Sequence, residues 1–138
     1  LEEATISTAL TVTIDGHINK DFYPADERGE DCIPWELQSF SKIKGLCFDL
    51  IKGKHTPLYF KFVLHMQPDK AAAMLEKAQV DPGVIRALVL NIRYDGEKTV
   101  LTTGCAYQVF TMDKSADTAW DKALKKYLDL KGISYEEL

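Results

Sequence analysis

The residues of this chain best suited to chemistry are three cysteines and three histidines. They are Cys32, Cys47, Cys105, His17, His55 and His65. A nucleophilic cysteine needs a histidine base beside it, and a zinc site usually shows closely spaced pairs of ligands. Here the cysteines form no Cys-x-x-Cys pair, and the histidines fall on separate predicted elements. The sequence therefore predicts no catalytic residue, no metal site and no cofactor. An enzyme with a cleft beside a helix over 35–52 is kept as a third hypothesis.

A basic segment offers a different chemistry, the binding of phosphates. Five lysines stand against the single acid Asp49 between positions 42 and 61, with Tyr59 and Phe60 among them; the lysines are Lys42, Lys44, Lys52, Lys54 and Lys61. Such a segment can follow a nucleic-acid backbone and stack bases, but it is equally typical of a solvated helix face beside core aromatics. The chain has no glycine-rich phosphate loop, and its net charge of −4 argues against a dedicated nucleic-acid binder. Nucleic-acid binding is therefore the second hypothesis.

An acidic segment precedes the basic one. Residues 20–36 hold six acids against Lys20 and Arg28, and two prolines and a glycine interrupt any regular element, so we predict an exposed loop. Its charge is opposite to that of the lysines, and the two can pair within the fold or across a symmetric dimer. A threonine-rich strand over 4–14 can also pair edge to edge.

The first hypothesis is therefore a non-catalytic domain that acts through protein contacts, with itself as a homodimer or with another protein. Exposed loops and charged corners are where binding residues concentrate. The residues predicted to line a binding surface are Asp21, Phe22 and Tyr23 in the acidic loop, with Lys52, Lys54 and His55 where the helix ends.

Two Asp-Gly pairs indicate how the chain folds. Asp15-Gly16 and Asp95-Gly96 each interrupt alternating apolar and polar residues, which predicts two tight β-hairpins. The first would follow one long strand over 4–14 and return over 17–19; the alternative is that Asp15-Gly16 ends that strand in a loop. The second would join arms over 85–94 and 98–111.

Other periodicities predict the remaining elements. Apolar residues at three- and four-residue steps predict helices over 35–52 and 70–78, and a strand over 46–51 is the rival interpretation of the first. Residues 58–66 alternate as a strand. A final helix is expected to be capped by Asp113 or Ser115 and to stop at Gly132.

Together these elements predict one α+β domain over 1–138. It would have an antiparallel sheet of four or five strands, with two or three helices packed on one face and a wetter opposite face.

No apolar run is long enough to cross a membrane, and no signal peptide is recognisable. An odd number of scattered cysteines favours a reducing cytoplasm. The chain begins at Leu1 rather than at a methionine, which leaves room for a preceding segment.

Four stretches carry a resemblance that covers nearly the whole chain. They are IDGHINKDFY (14–23), LIKGKHTPLYFKFVL (50–64), LNIRYDG (90–96) and FTMDKSADTAWD (110–121). Together they resemble a family of small uncharacterised proteins from clostridia and related Firmicutes, a domain of unknown function. The resemblance implies a bacterial, cytoplasmic protein with an additional segment before Leu1. It brings no catalytic or binding residues.

Overall fold

Five strands form one antiparallel sheet in the order β2-β1-β3-β4-β5. The computed structural model describes all residues from 1 to 138. The strands are β1 (Glu3–Ser7), β2 (Thr11–Asp15), β3 (Tyr59–His65), β4 (Ile85–Tyr94) and β5 (Thr99–Tyr107), and the helices are α1 (Phe40–Ile51), α2 (Pro68–Lys77) and α3 (Ser115–Leu130). The predicted α+β class is confirmed. None of the helices combines the length and apolar character needed to span a membrane.

The chain forms two compact units, each with a hydrophobic core of its own. The first unit comprises residues 1–64 and 91–101, and the second comprises 65–90 and 102–138. That the whole chain is a single domain stays a prediction.

In the first unit, α1 packs on one face of the sheet. Even-numbered residues of β1 and β3, such as Ile6 and Phe62, are buried in the same cluster as Cys47 of α1. The odd-numbered face carries Thr5 opposite Thr13 and Lys61, so it is the more polar face. This arrangement follows from the period of two, which sends alternate side chains to opposite sides of a strand.

The first hairpin turns at a different place from the one predicted. β1 and β2 pair antiparallel, with Ile6 opposite Val12, and residues 8–10 connect them. One long strand over 4–14 is therefore wrong, and Asp15-Gly16 ends β2 in a loop, as in the alternative interpretation. A three-residue connection keeps the even-numbered residues of both strands on one face. The alternation in the sequence therefore continues through the turn without a break.

Helix α1 is shorter than predicted. It begins at Phe40 rather than at Trp35, and the rival strand over 46–51 is wrong. Residues before the helix are extended because the backbone groups of Gln38 bond to residues outside the helix. The Gln38 amide donates to the Gly16 carbonyl at 2.8 Å, and the Gln38 carbonyl accepts from the Leu1 nitrogen at 2.8 Å. Backbone groups engaged in this pairing are not free to form the first helical turn.

The Asp95-Gly96 hairpin is confirmed, with a four-residue connection instead of a two-residue one. The Asp95 carboxylate accepts the backbone amides of Glu97 and Lys98, each at 3.0 Å. Gly96 adopts φ of 99°, a conformation that side-chain-bearing residues rarely adopt. The sequence signal was therefore correct here because the turn depends on local residues alone.

The second unit is built on β4, α2 and α3. Its core includes Leu75, Leu88 and Trp120, and the indole Nε1 donates to the Val89 carbonyl at 2.9 Å. The predicted stop of the last helix at Gly132 is confirmed, but neither predicted cap is the N-cap residue: that residue is Lys114, and its side chain makes no capping hydrogen bond. The Asp113 carboxylate instead accepts the amide of Ser115, the first helical residue, at 2.9 Å.

We predict that Gly16→Ala destabilises the fold by about 1–3 kcal/mol, the usual cost of overpacking. The Gly16 amide donates to the Glu2 carbonyl, which holds the two backbone segments close together. A Cβ at position 16 would therefore lie 1.8 Å from the Leu1 carbonyl oxygen. The matched control is Gly45→Ala in α1, where nothing lies within 4 Å and a gain of up to about 1 kcal/mol is expected. Chemical denaturation measures both variants, and equal stability changes would contradict the packing described.

Candidate functional site

The acidic loop, residues 20–36, is an exposed excursion whose two ends are held together. The Ile18 amide donates to the Glu36 carbonyl at 2.9 Å, and His17 and Leu37 form an antiparallel bridge. Within the loop, Ile33 is buried. All six acids are exposed and make no ion pair within the chain; they are Asp21, Asp26, Glu27, Glu30, Asp31 and Glu36. The predicted exposed loop is confirmed.

The predicted residues Asp21, Phe22 and Tyr23 lie together in one turn of this loop. A 3-10 turn over Lys20–Phe22 begins at Asn19, whose side chain accepts the Asp21 amide at 3.1 Å. The Phe22 ring is 84% exposed and meets Tyr23 edge to face, with 5.3 Å between the ring centroids. An apolar ring is therefore presented to solvent beside a carboxylate.

The other three predicted residues form a second group, the basic corner: Lys52, Lys54 and His55. They follow α1 directly and are all exposed. Lys52 Nζ lies 2.8 Å from an Asp49 carboxylate oxygen and 5.6 Å from the centroid of the Phe48 ring. Lys54 makes no ion pair. No hydrogen bond or ion pair joins the basic corner to the acidic loop.

The lysines of 42–61 do not form one surface. Lys61 pairs with Thr5 on the face of the sheet that is turned away from α1, whereas Lys42 and Lys44 lie on α1 itself. Of the two interleaved aromatics, Phe60 packs in the core of the first unit and stacks on Tyr94 at 5.0 Å. Phe60 is therefore not presented for base stacking, whereas Tyr59 lies on the same face of β3 as Lys61.

An Asp–His pair lies at the end of β2. The pKa of Asp15 lies below its ordinary value because its carboxylate accepts the His17 amide at 3.0 Å and lies 2.6 Å from the imidazole Nδ1. A carboxylate that orients an imidazole is part of a catalytic triad. Both side chains are exposed here, however, and no serine or cysteine is hydrogen-bonded to the ring. The pair therefore lacks a nucleophile.

Sequence reasoning missed a polar array in the second unit. Alternate residues of β5 face two carboxylates one turn apart on α3: Tyr107 donates to Asp117 at 2.5 Å, and Thr103 donates to Asp121. Cys105 lies between them and interacts with Asp117. The available signal was Thr-x-Cys-x-Tyr in a strand together with Asp-x-x-x-Asp in a helix, which only tertiary packing brings together.

Two side chains of this array, Cys105 and Tyr107, have raised pKa values. Burial, and then the neighbouring Asp117 carboxylate, raise the pKa of Cys105 to about 11. The hydrogen bond to Asp117 raises the pKa of Tyr107 as well. The thiol is therefore protonated at neutral pH and is a weak nucleophile. In addition, no three histidine, cysteine, aspartate or glutamate side chains converge to hold a metal ion.

One shallow cavity lies in the second unit, beyond the end of α3. Its volume is about 620 Å³, and its lining includes Asp129, Ile133, Tyr135 and Glu137. The enzyme hypothesis expects a polar cleft near His55 or His65, and neither histidine lines this cavity.

Comparison with known proteins gives one match. The model of a family of unknown function, DUF5721, matches residues 1–136. No curated protein and no solved structure is significantly similar to the chain. The match therefore covers both units and brings no activity with it.

We predict that Cys105 resists alkylation far above neutral pH. With a pKa of about 11, about one Cys105 thiol in a thousand is ionised at pH 8. Asp117→Asn removes the negative charge beside the thiol and is expected to lower the pH at which alkylation accelerates. Iodoacetamide labelling followed by peptide mass spectrometry measures this, with the exposed Cys32 as the reagent control and circular dichroism confirming the fold. A Cys105 profile with its midpoint near 9, or one unchanged in Asp117→Asn, contradicts the geometry described.

Proposed function

Given that the chain belongs to DUF5721, a family of unknown function, we propose its role from its own surface. The protein is a non-catalytic module that self-associates. In the homodimer, the acidic loop of one copy binds the basic corner and the adjoining α1 lysines of the other.

The observation that supports this proposal is the presence of unpaired charges of opposite sign on one unit. The six acids of the loop have no internal ion-pair partner, and neither have Lys42, Lys44 and Lys54. A two-fold arrangement would bring each acidic loop to a basic corner, so every contact would occur twice. Because one exposed ion pair contributes only about 0–1 kcal/mol, several pairs would have to act together.

A second copy fits this surface better than a nucleic acid does. A polyanion on the α1 lysines would not reach Lys61, which lies on the other face of the sheet, and the six acids of the same unit would add repulsion to its approach. A second copy instead supplies both charges at once. Nucleic-acid binding is therefore the alternative that the experiment must separate from self-association.

The proposal places the protein in the cytoplasm of a clostridial bacterium or a relative, as the resemblance implied. Three free cysteines support a reducing compartment, because disulfides persist in oxidising ones.

Charge reversal tests the proposal. Asp21→Lys/Asp26→Lys and Lys52→Glu/Lys54→Glu are each expected to weaken homodimerisation at least about tenfold, because attraction becomes repulsion. Mixing the two variants should restore dimers, since the reversed loop of one then faces the reversed corner of the other. Sedimentation velocity at low ionic strength measures all four samples, including the unaltered chain.

The matched controls carry the same charge changes elsewhere. Glu76→Lys/Glu97→Lys and Lys70→Glu/Lys77→Glu alter exposed residues outside both surfaces and should leave dimerisation unchanged. A monomeric unaltered chain, or a mixture no more dimeric than its components, contradicts the proposal. Retention on immobilised single-stranded DNA that is lost in Lys52→Glu/Lys54→Glu would favour the nucleic-acid alternative instead.

A further inference from the structure

Each of the two oppositely charged surfaces carries an exposed phenylalanine. In the acidic loop this is Phe22, which is 84% exposed, and on α1 it is Phe48, which is 62% exposed. Aromatic side chains are enriched among the residues that dominate protein interfaces. Each ring is therefore suited to anchor a contact within the charged surface that carries it.

The Phe22 ring is held on a fixed backbone. The Tyr23 amide donates to the Lys20 carbonyl at 3.1 Å, and the Arg28 side chain donates from Nε to the Tyr23 carbonyl at 2.8 Å. Together with the Asn19 cap, these bonds define the turn that carries the ring. A ring on a pre-formed turn loses little conformational freedom when it binds.

The Phe48 ring lies within a row of cations. Lys44 lies one helical turn before it on α1, and Lys52, the residue that directly follows α1, has its Nζ 5.6 Å from the ring centroid. The two surfaces are opposite in charge and each carries an exposed ring: Phe22 follows Asp21 in the acidic loop, and Phe48 lies between Lys44 and Lys52 in the sequence.

We infer that Phe22 of one copy packs against Phe48 of the second copy at the centre of the self-association surface. The inference rests on the proposed function, and it names the contact that makes the interface specific. The occupant is a second copy because each chain carries both halves, with complementary charges around each ring. Burying an aromatic pair inside a rim of ion pairs is the arrangement in which a few residues dominate binding.

The experiment measures the dissociation constant of the dimer by sedimentation velocity. Phe22→Ala and Phe48→Ala are each expected to raise it about fivefold to tenfold, because each homodimer then loses two aromatic pairs. Phe110→Ala is the matched control, because Phe110 is 93% exposed in the second unit and lies outside both surfaces. All three variants should unfold at the temperature of the unaltered chain, since none of these rings is buried.

A mixture of the two variants tests whether the rings touch each other. In a mixed dimer, Phe22 of the Phe48→Ala copy meets Phe48 of the Phe22→Ala copy, so one contact is intact. Mixed dimers, counted by native mass spectrometry, should therefore exceed the statistical half of all dimers.

The outcomes separate the two proposals. Suppose that the unaltered chain dimerises in a salt-sensitive way. If both alanine variants then dimerise with the same dissociation constant, or if mixed dimers form only in the statistical proportion, the proposed ring contact is wrong and self-association stands. If the unaltered chain is monomeric, both are wrong.

Discussion

The antiparallel pairing between residues 16–18 and 36–38 is the constraint on which the candidate interface depends. It joins both ends of the acidic loop at the end of β2, through amide-to-carbonyl bonds of 2.8 and 2.9 Å. Because of this closure, the six acids and the Phe22 turn extend from one anchored segment rather than from a free chain. An anchored segment loses less conformational entropy than a free chain does when an interface forms. The same pairing excludes residues before Phe40 from α1.

The surroundings of His17 and Cys105 determine what each of these reactive groups can do. Asp15 orients His17, but no serine or cysteine is hydrogen-bonded to the imidazole. Burial, and then the Asp117 carboxylate beside it, raise the pKa of the Cys105 thiol to about 11, the opposite of what activates a cysteine.

The sequence predicted those elements whose determinants are local. The Asp95 turn and the end of α3 depend on residues within a few positions of one another, and both are confirmed. The β1–β2 turn was missed because a three-residue connection preserves the alternation of faces. The contact of Tyr107 with Asp117 could not be predicted, because a strand and a helix separated in sequence create it. The predicted binding residues fall into two groups that the fold of one chain does not join.

The central claim is that the acidic loop of one copy lies against the basic corner of another, and spin labelling tests it directly. Cys32 is an exposed thiol inside the loop, whereas Cys47 is buried and Cys105 retains its proton. Unenriched protein that carries a nitroxide on Cys32 is mixed with an equal amount of ¹⁵N-labelled chain that carries none. Only contacts between copies can then broaden the observed resonances. The account predicts broadening of the amide resonances of residues 48–55 in the ¹⁵N-labelled chain. Unbroadened spectra, or broadening confined to the second unit, would contradict it.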